Sequence, residues 1–183
     1  MLIKTSLAAA AAIALSACAS SNMGAPAMTF SQAALPDAVK VPAGHKVAWE
    51  TVGVGQITYE CRAKANMPGQ FEWVFVGPDA KLLDRSGKQV GKYYGPPATW
   101  EANDGSKFTA TQVAVAPGGD GNIPLQLVKA NPAMGSGAMN GVTYTQRVAT
   151  KGGVAPAAAC GAGNAGARQI VQYQADYILW KAS

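Results

Sequence analysis

The sequence has little of what most catalytic and cofactor-binding proteins need. Its 183 residues include one histidine, and only 14% of them are charged. That histidine, His45, follows Pro42-Ala43-Gly44, a setting typical of an exposed turn rather than of a catalytic base. There is no Gly-x-Ser-x-Gly elbow to expose a serine, and no glycine-rich strand–turn–helix fingerprint for a dinucleotide. We therefore expect no catalytic triad and no cofactor.

The charged residues are also too dispersed to indicate a nucleic-acid surface. The formal net charge is +5, yet Lys and Arg occur singly and never in a run of three. Dispersed positive charge is typical of a solvated surface, so we predict no nucleic-acid partner.

The N-terminus resembles the export signal of bacterial lipoproteins. Lys4 is the only charge before an apolar stretch, Thr5 to Leu15, that is too short for a stable membrane-spanning helix. The string Leu15-Ser16-Ala17-Cys18 then fits a lipobox, in which the cysteine thiol receives a diacylglycerol and the signal is cut just before it. We predict a signal peptide over residues 1–17 and acyl chains, such as palmitate, on Cys18.

This assignment predicts a protein anchored to the cell envelope by its lipid. Each buried methylene group adds ~0.8 kcal/mol to such an anchor. Ala19 follows the cysteine, which favours the outer membrane over retention at the inner one. The alternative is ordinary cleavage after Ala19, which would release a soluble periplasmic or secreted protein. Residues 18–34 lack apolar periodicity and predict a flexible tether, followed by one domain over residues 35–183.

With Cys18 assigned to lipid, two cysteines remain. Cys61 and Cys160 form an even pair in an oxidising compartment, which favours a disulfide. Two free thiols or a metal site are the alternatives, but a zinc site wants four ligands and the chain has one histidine. We predict the disulfide and no metal.

The local patterns of the domain are those of β-strands. Segments such as 47–52, 56–62, 71–76, 107–115, 142–148 and 170–180 alternate apolar with polar residues or are rich in β-branched and aromatic ones. Gly, Pro and Asn clusters separate them, and Gly77-Pro78-Asp79 is interpreted as a turn. The predicted fold is all-β, an antiparallel sandwich or a closed barrel of about 8–10 short strands.

Several strings resemble those of a known family. They are Ile57-Thr58-Tyr59-Glu60-Cys61, Gly95-Pro96-Pro97-Ala98-Thr99-Trp100-Glu101, Asn103-Asp104-Gly105-Ser106, the run from Tyr144 to Cys160, and Tyr173-Gln174-Ala175-Asp176-Tyr177. Together they resemble domain of unknown function 3455, found in bacteria and fungi, over residues 36–181. The resemblance implies no established activity. A malate dehydrogenase label on some fungal members is discounted, because this chain lacks the dinucleotide fingerprint and βαβ alternation.

The residues around 93–106 are the best candidates for a functional site. Tyr93, Tyr94 and Trp100 offer aromatic faces with polar tips, which suit a small molecule, a glycan or an envelope partner. Asp104 lies in the adjoining turn. Arg147 is a further candidate, either as the ion-pair partner of Asp104 or Asp176 or as the ligand of an anion. We predict a non-catalytic binding domain; the oligomeric state is left open.

Two rival interpretations remain. Glu101 and Asp104 are weak candidates for the acid and base of a hydrolase, which needs two carboxyl groups about 5–9.5 Å apart in a cleft. The third possibility is a purely structural envelope module without a pocket. The turn 104–106 also has oxygen ligands for calcium, but a β-turn explains this string without a metal.

Overall fold

The computed structural model describes residues 30–183, so the predicted signal peptide, Cys18 and most of the predicted tether lie outside it. The regular structure of the described chain is β-strand, apart from 3-10 turns at Asp37–Val39 and Ala162–Asn164. The strands are β1 (His45–Ala63), β2 (Phe71–Leu83), β3 (Gln89–Tyr94), β4 (Thr99–Ala102), β5 (Lys107–Ala116), β6 (Leu125–Ala130), β7 (Val142–Gly152) and β8 (Arg168–Ala182). The all-β prediction is confirmed.

The eight strands form one closed antiparallel barrel. Each strand pairs with the next along the chain, and β8 returns to pair with β1. Closure leaves no unpaired sheet edge, which is how up-and-down barrels satisfy their backbone N–H and C=O groups. The sequence alone did not distinguish a sandwich from a barrel, because both folds require the same alternation of inward-facing and outward-facing residues along each strand.

The first strand is longer than the sequence indicated. Segments 47–52 and 56–62 were interpreted as two strands, but β1 runs unbroken through Gly53 and Gly55. A Cβ atom at Gly53 would overlap the ring of Tyr177, and one at Gly55 would overlap the backbone of Asp79. These glycines therefore allow neighbouring strands to approach β1 closely and do not form a turn.

The predicted turn at Gly77-Pro78-Asp79 is likewise wrong, because β2 continues through it. The pairing of β2 with β1 shifts register between Thr58 and Tyr59, and this irregularity accommodates the Gly-Pro step. The carbonyl of Pro78 still accepts a hydrogen bond from Gly95 N at 3.2 Å. A side chain at Gly77 would overlap the backbone of Gly95, so the glycine permits the β3–β4 connection to pack here.

The barrel interior is an aromatic core. Trp100 stacks on Tyr93 on one side and on Phe108 on the other, with ring centroids 4.5 and 5.4 Å apart. Tyr177 from β8 meets both Tyr93 and Trp100, at 4.9 and 5.9 Å. Side chains from nearly opposite parts of the ring therefore meet at its centre and fill this part of the interior.

A second apolar cluster lies on the outside of the barrel. Residues 30–41, which we call the N-terminal strap, lie across outward-facing side chains of β5 to β8. Val39 and Val41 of the strap are buried against Leu127 and Ile178. The strap includes residues 30–34, which had been predicted to belong to the tether.

The disulfide between Cys61 and Cys160 is confirmed, with Cα atoms 5.5 Å apart. It joins β1 to the Gly/Ala-rich connection between β7 and β8, where Trp73 Nε1 also donates to the carbonyl of Ala158 at 2.8 Å. Closing a loop of this length stabilises the fold by about 4.7 kcal/mol in the chain-entropy model. The bridge thus holds a long irregular connection to the barrel wall.

Candidate functional site

A pocket of about 250 Å³ opens into the barrel interior. At about 30 Å³ per water molecule, this space corresponds to roughly eight waters, or one small organic molecule. Side chains of β2 to β7 and the β3–β4 connection line it: Phe75, Pro78, Tyr93, Gly95, Pro96, Ala98, Trp100, Ala110, Gln112, Gln126, Val128 and Arg147. The predicted ligand-binding residues Tyr93, Trp100 and Arg147 are among them.

One side of the pocket is aromatic and apolar. Tyr93 on β3 and Trp100 on β4 are cross-strand partners, so both side chains lie on the inner face of the sheet. The connection between these strands folds over them and contributes Pro96 and Ala98. Phe75 is 52% exposed and lies at the pocket's apolar rim. This side suits an aromatic ring or a short hydrocarbon.

The other side of the pocket is polar. Arg147 on β7 is the register partner of Gln126 on β6, and Gln126 Nε2 donates to Gln112 Oε1 on β5 at 2.6 Å. The guanidinium of Arg147 donates through Nε and Nη2 to the carbonyl of Pro124, at 3.1 and 2.9 Å. Three neighbouring strands therefore present amide and guanidinium groups across the barrel from the aromatic side.

Buried phenols lie near Arg147. The hydroxyls of Tyr173 and Tyr177 are 3.1 Å apart, and Tyr177 is the register partner of Arg147. Burial raises the pKa of Tyr93, Tyr173 and Tyr177, while the charge of Arg147 opposes that rise. These phenols therefore stay neutral near pH 7, where they serve as hydrogen-bonding groups and not as bases.

Two of the predicted residues, Tyr94 and Glu101, lie on the outer face of the barrel. Tyr94 OH donates to Glu101 Oε2 at 2.6 Å, and Lys92 Nζ lies 3.2 Å from Glu101 Oε1. The hydrogen bond from Tyr94 has the largest effect in lowering the pKa of Glu101, and the positive charges of Lys92 and Lys107 lower it further. Strand alternation explains the placement, since Tyr93 and Trp100 take the inner face.

Asp104 serves the turn between β4 and β5. Its Oδ1 accepts from Ser106 N at 2.9 Å and Ser106 Oγ at 2.6 Å, and its Oδ2 accepts from Ala138 N at 2.7 Å. These bonds, with that from the Ser106 hydroxyl the strongest, lower the pKa of Asp104. The carboxylate fixes two loops to each other and does not line the pocket.

Groups for hydrolysis or metal binding are not gathered at the pocket. None of its lining residues is a carboxylate. Within residues 30–183, no three His, Cys, Asp or Glu side chains come together as a metal site. His45 lies elsewhere, with Nδ1 3.1 Å from the carbonyl of Pro42 and its ring edge-on to Tyr144.

The prediction missed the lining residues that lie outside the 93–106 region, apart from Arg147: Phe75, Pro78, Ala110, Gln112, Gln126 and Val128. Gln112 carried a usable signal, because Phe108, Ala110 and Gln112 share one face of a predicted strand. Whether Gln126 points inward cannot be told from the sequence, because its strand is short. For Phe75 the reason is the register shift between β1 and β2 beside it. The strands that line the pocket are brought together by closure of the barrel, and no local sequence pattern predicts that closure.

Comparison with known proteins gives a family and nothing more specific. A family model described as protein of unknown function (DUF3455) matches residues 42–181, most of the chain. The chain belongs to this family. No curated protein and no solved structure gives a significant match to the DUF3455 chain. Its described residues contain no helix of the length and apolarity needed to cross a membrane.

Proposed function

We propose that this DUF3455 domain is a non-catalytic binding module that takes a small, partly apolar molecule into the pocket of its barrel. The observation that carries the proposal is the pairing of Tyr93 and Trp100 along one side of a cavity that contains no carboxylate. Ligand pockets are generally concave, mostly apolar and marked by a few convergent polar groups. This pocket has an aromatic side and a polar side of Gln112, Gln126 and Arg147.

The geometry supports binding better than hydrolysis. A carboxylate hydrolase needs an acid and a second carboxyl group facing one cleft. Glu101 faces outward between two lysines, and Asp104 accepts two hydrogen bonds inside its own turn and a third from Ala138 N in a neighbouring loop. Neither group is available to a ligand of the pocket, and the lowered pKa of each makes it a poor proton donor near neutral pH.

We also propose that the domain is carried at the cell envelope, preferably at the outer membrane, by lipid on Cys18. The lipobox-like string 15–18 supports this, as does the pairing of the other two cysteines in a disulfide, which suits an oxidising compartment. Labelling cells with a fatty-acid probe tests the anchor. The wild-type protein should be labelled and Cys18→Ala should not; equal labelling of the mutant would refute the proposal.

Thermal denaturation of the purified protein with a panel of small molecules tests the binding function. A suitable panel contains benzyl alcohol, benzamide, hexanamide, benzoate, glucose and N-acetylglucosamine, all small enough for a single-ring pocket. A ligand at ten times its Kd stabilises the native state by about 1.4 kcal/mol. For a chain of this size that raises Tm by about 3–6 °C.

A matched pair of variants ties the binding to the pocket. Ala110→Leu adds a side chain inside the pocket and should weaken any stabilisation by ligand. Thr111→Leu places the same leucine side chain at the exposed neighbouring position and should leave it unchanged. The binding function is refuted if no member of the panel raises Tm, or if both variants respond alike.

A further inference from the structure

Arg147 differs from every other arginine among residues 30–183. Arg62 and Arg168 each pair with Glu60, at 2.7 and 2.8 Å. Arg85 bridges Glu50 and Asp176, at 3.0 and 2.7 Å. For Arg147, no carboxylate of the described chain lies within 4 Å, although the sequence offered Asp104 and Asp176 as partners. The one arginine that faces the barrel interior is therefore the one without an anionic partner.

The surroundings of Arg147 leave its charge uncompensated. A guanidinium has five N–H donors, and its observed bonds all go to one neutral acceptor, the carbonyl of Pro124. The nearby phenols of Tyr93, Tyr173 and Tyr177 are neutral near pH 7, because burial raises the pKa of each. Arg147 is only half-buried at the pocket, so an anion that enters can reach the guanidinium donors that Pro124 leaves unused, and hydrogen bonds between a guanidinium and an anion are among the strong ones in proteins.

The pocket also constrains which anion fits. A carboxylate matches the planar fork of a guanidinium and can accept two parallel hydrogen bonds from it. One cation balances one negative charge, which favours a monocarboxylate over a phosphate dianion. The amide of Gln112, at the same side, offers further N–H donors. The apolar side of the pocket, formed by Tyr93, Trp100 and Pro96, would then contact the apolar part of the ligand, which is one ring or a short chain.

We infer that the pocket selects small organic monocarboxylates, with the carboxylate bound by Arg147 and the apolar body packed on Tyr93 and Trp100. This inference rests on the proposed binding function and names its ligand class. The carboxylate stays near the polar side of β5 to β7, and the hydrocarbon lies toward β3 and β4.

Isosteric acid and amide pairs test this selectivity. Benzoate with benzamide, cyclohexanecarboxylate with cyclohexanecarboxamide, and hexanoate with hexanamide differ in charge but hardly in shape. Calorimetric titration of the purified protein at pH 7 should show the acid binding about tenfold or more tighter than its amide in at least one pair, as expected for a hydrogen-bonded charge. Raising the salt concentration should reduce that ratio.

Variants of Arg147 assign the selectivity to its guanidinium. Arg147→Gln should bring the acid-to-amide ratio close to one, and Arg147→Lys should retain part of it, because a point charge replaces the planar fork. Arg85→Gln, a change on the outer face, should leave the ratio unchanged. Partial unfolding of a variant would weaken both members of a pair alike, so the ratio separates selectivity from stability.

The outcomes distinguish this inference from the binding function beneath it. If amides bind as tightly as their acids in the wild-type protein, or if Arg147→Gln keeps the wild-type ratio, the carboxylate inference is overturned while binding stands. If neither the neutral molecules nor the acids bind, both proposals fail. If Arg147→Gln does not fold, the Arg147→Lys variant decides: a reduced ratio supports binding of the carboxylate by the guanidinium, and an undiminished ratio overturns the inference.

Discussion

The two apolar clusters of this protein are built in different ways. The interior cluster is formed by the inner faces of strands that pair with their neighbours in sequence, and it is stacked around Trp100. The outer cluster exists because the N-terminal strap, residues 30–41, returns to cover β5 to β8. Trp180 belongs to the outer cluster, where Phe30 packs edge-on against it at 6.3 Å.

The polar groups of the two regions differ in the same way. Inside the barrel, Arg147 keeps unused N–H donors beside the pocket. Under the strap, Gln146 is fully buried and its amide is used on both sides: Nε2 donates to Val39 O at 2.6 Å, and Oε1 accepts from Trp180 Nε1 at 2.9 Å. The outer cluster is thus closed and structural, whereas the interior keeps both space and unused donors.

The two regions should differ most in how much stability the protein loses when the central tryptophan of each is replaced. Trp100→Ala should destabilise the protein by about 3–5 kcal/mol, because the closed ring of strands cannot collapse into the space left behind. Trp180→Ala should cost less, about 2–3 kcal/mol, because the strap can settle onto the barrel. Urea denaturation midpoints of both variants measure the difference. An equal or larger loss for Trp180→Ala would contradict this view of the two regions.

Removing the buried amide of the outer cluster should have the next largest effect. Gln146→Ala leaves the Val39 carbonyl and the Trp180 indole without partners, at about 1–3 kcal/mol for each buried group. We expect a loss of about 2–4 kcal/mol in the free energy of unfolding with ligand binding to the pocket unchanged. The control is Gln172→Ala at an exposed position of β8, which should stay within about 0.5 kcal/mol of wild type. A weakened pocket in Gln146→Ala would show that the two regions are coupled.

Alkaline pH should affect the interior selectively. Burial raises the folded-state pKa of Tyr173 and Tyr177 above the ordinary value of about 10, at which both ionise in the unfolded chain. Above pH 10 the unfolded state therefore binds fewer protons than the folded one, and stability declines as pH rises. The contribution is fully present below pH 10 and is lost gradually above it.

The Tyr177→Phe variant checks the source of that decline. It removes one buried phenol, so its free energy of unfolding should fall less steeply above pH 10 than that of the wild-type protein. Urea denaturation at pH values from 8 to 11 measures both slopes. Identical slopes would mean that the interior phenols do not account for the alkaline loss.

The sequence predicted local features well where a short pattern decides them. The aromatic residues Tyr93 and Trp100 were assigned to one candidate region and are cross-strand partners in the structure, and the chain between Asn103 and Ser106 turns as expected. The disulfide followed from the number of cysteines and from the predicted oxidising compartment. The prediction of strand boundaries failed at glycine, because glycine occurs both in turns and where strands approach closely. Gly53, Gly55 and Gly77 were interpreted as breaks or turns, but they lie inside the continuous strands β1 and β2 and permit neighbouring chain segments to approach.

By itself, then, the sequence determined the fold class, the pairing of Cys61 with Cys160 and the region of the candidate site, because these depend on residue type and period-two alternation. Only the tertiary structure decided that the sheet closes into a barrel, that residues 30–41 cover its outer face, and that Arg147 faces the interior without a carboxylate. Those features depend on contacts between residues far apart in the chain, and their partners are selected by packing of the whole barrel rather than by any local pattern.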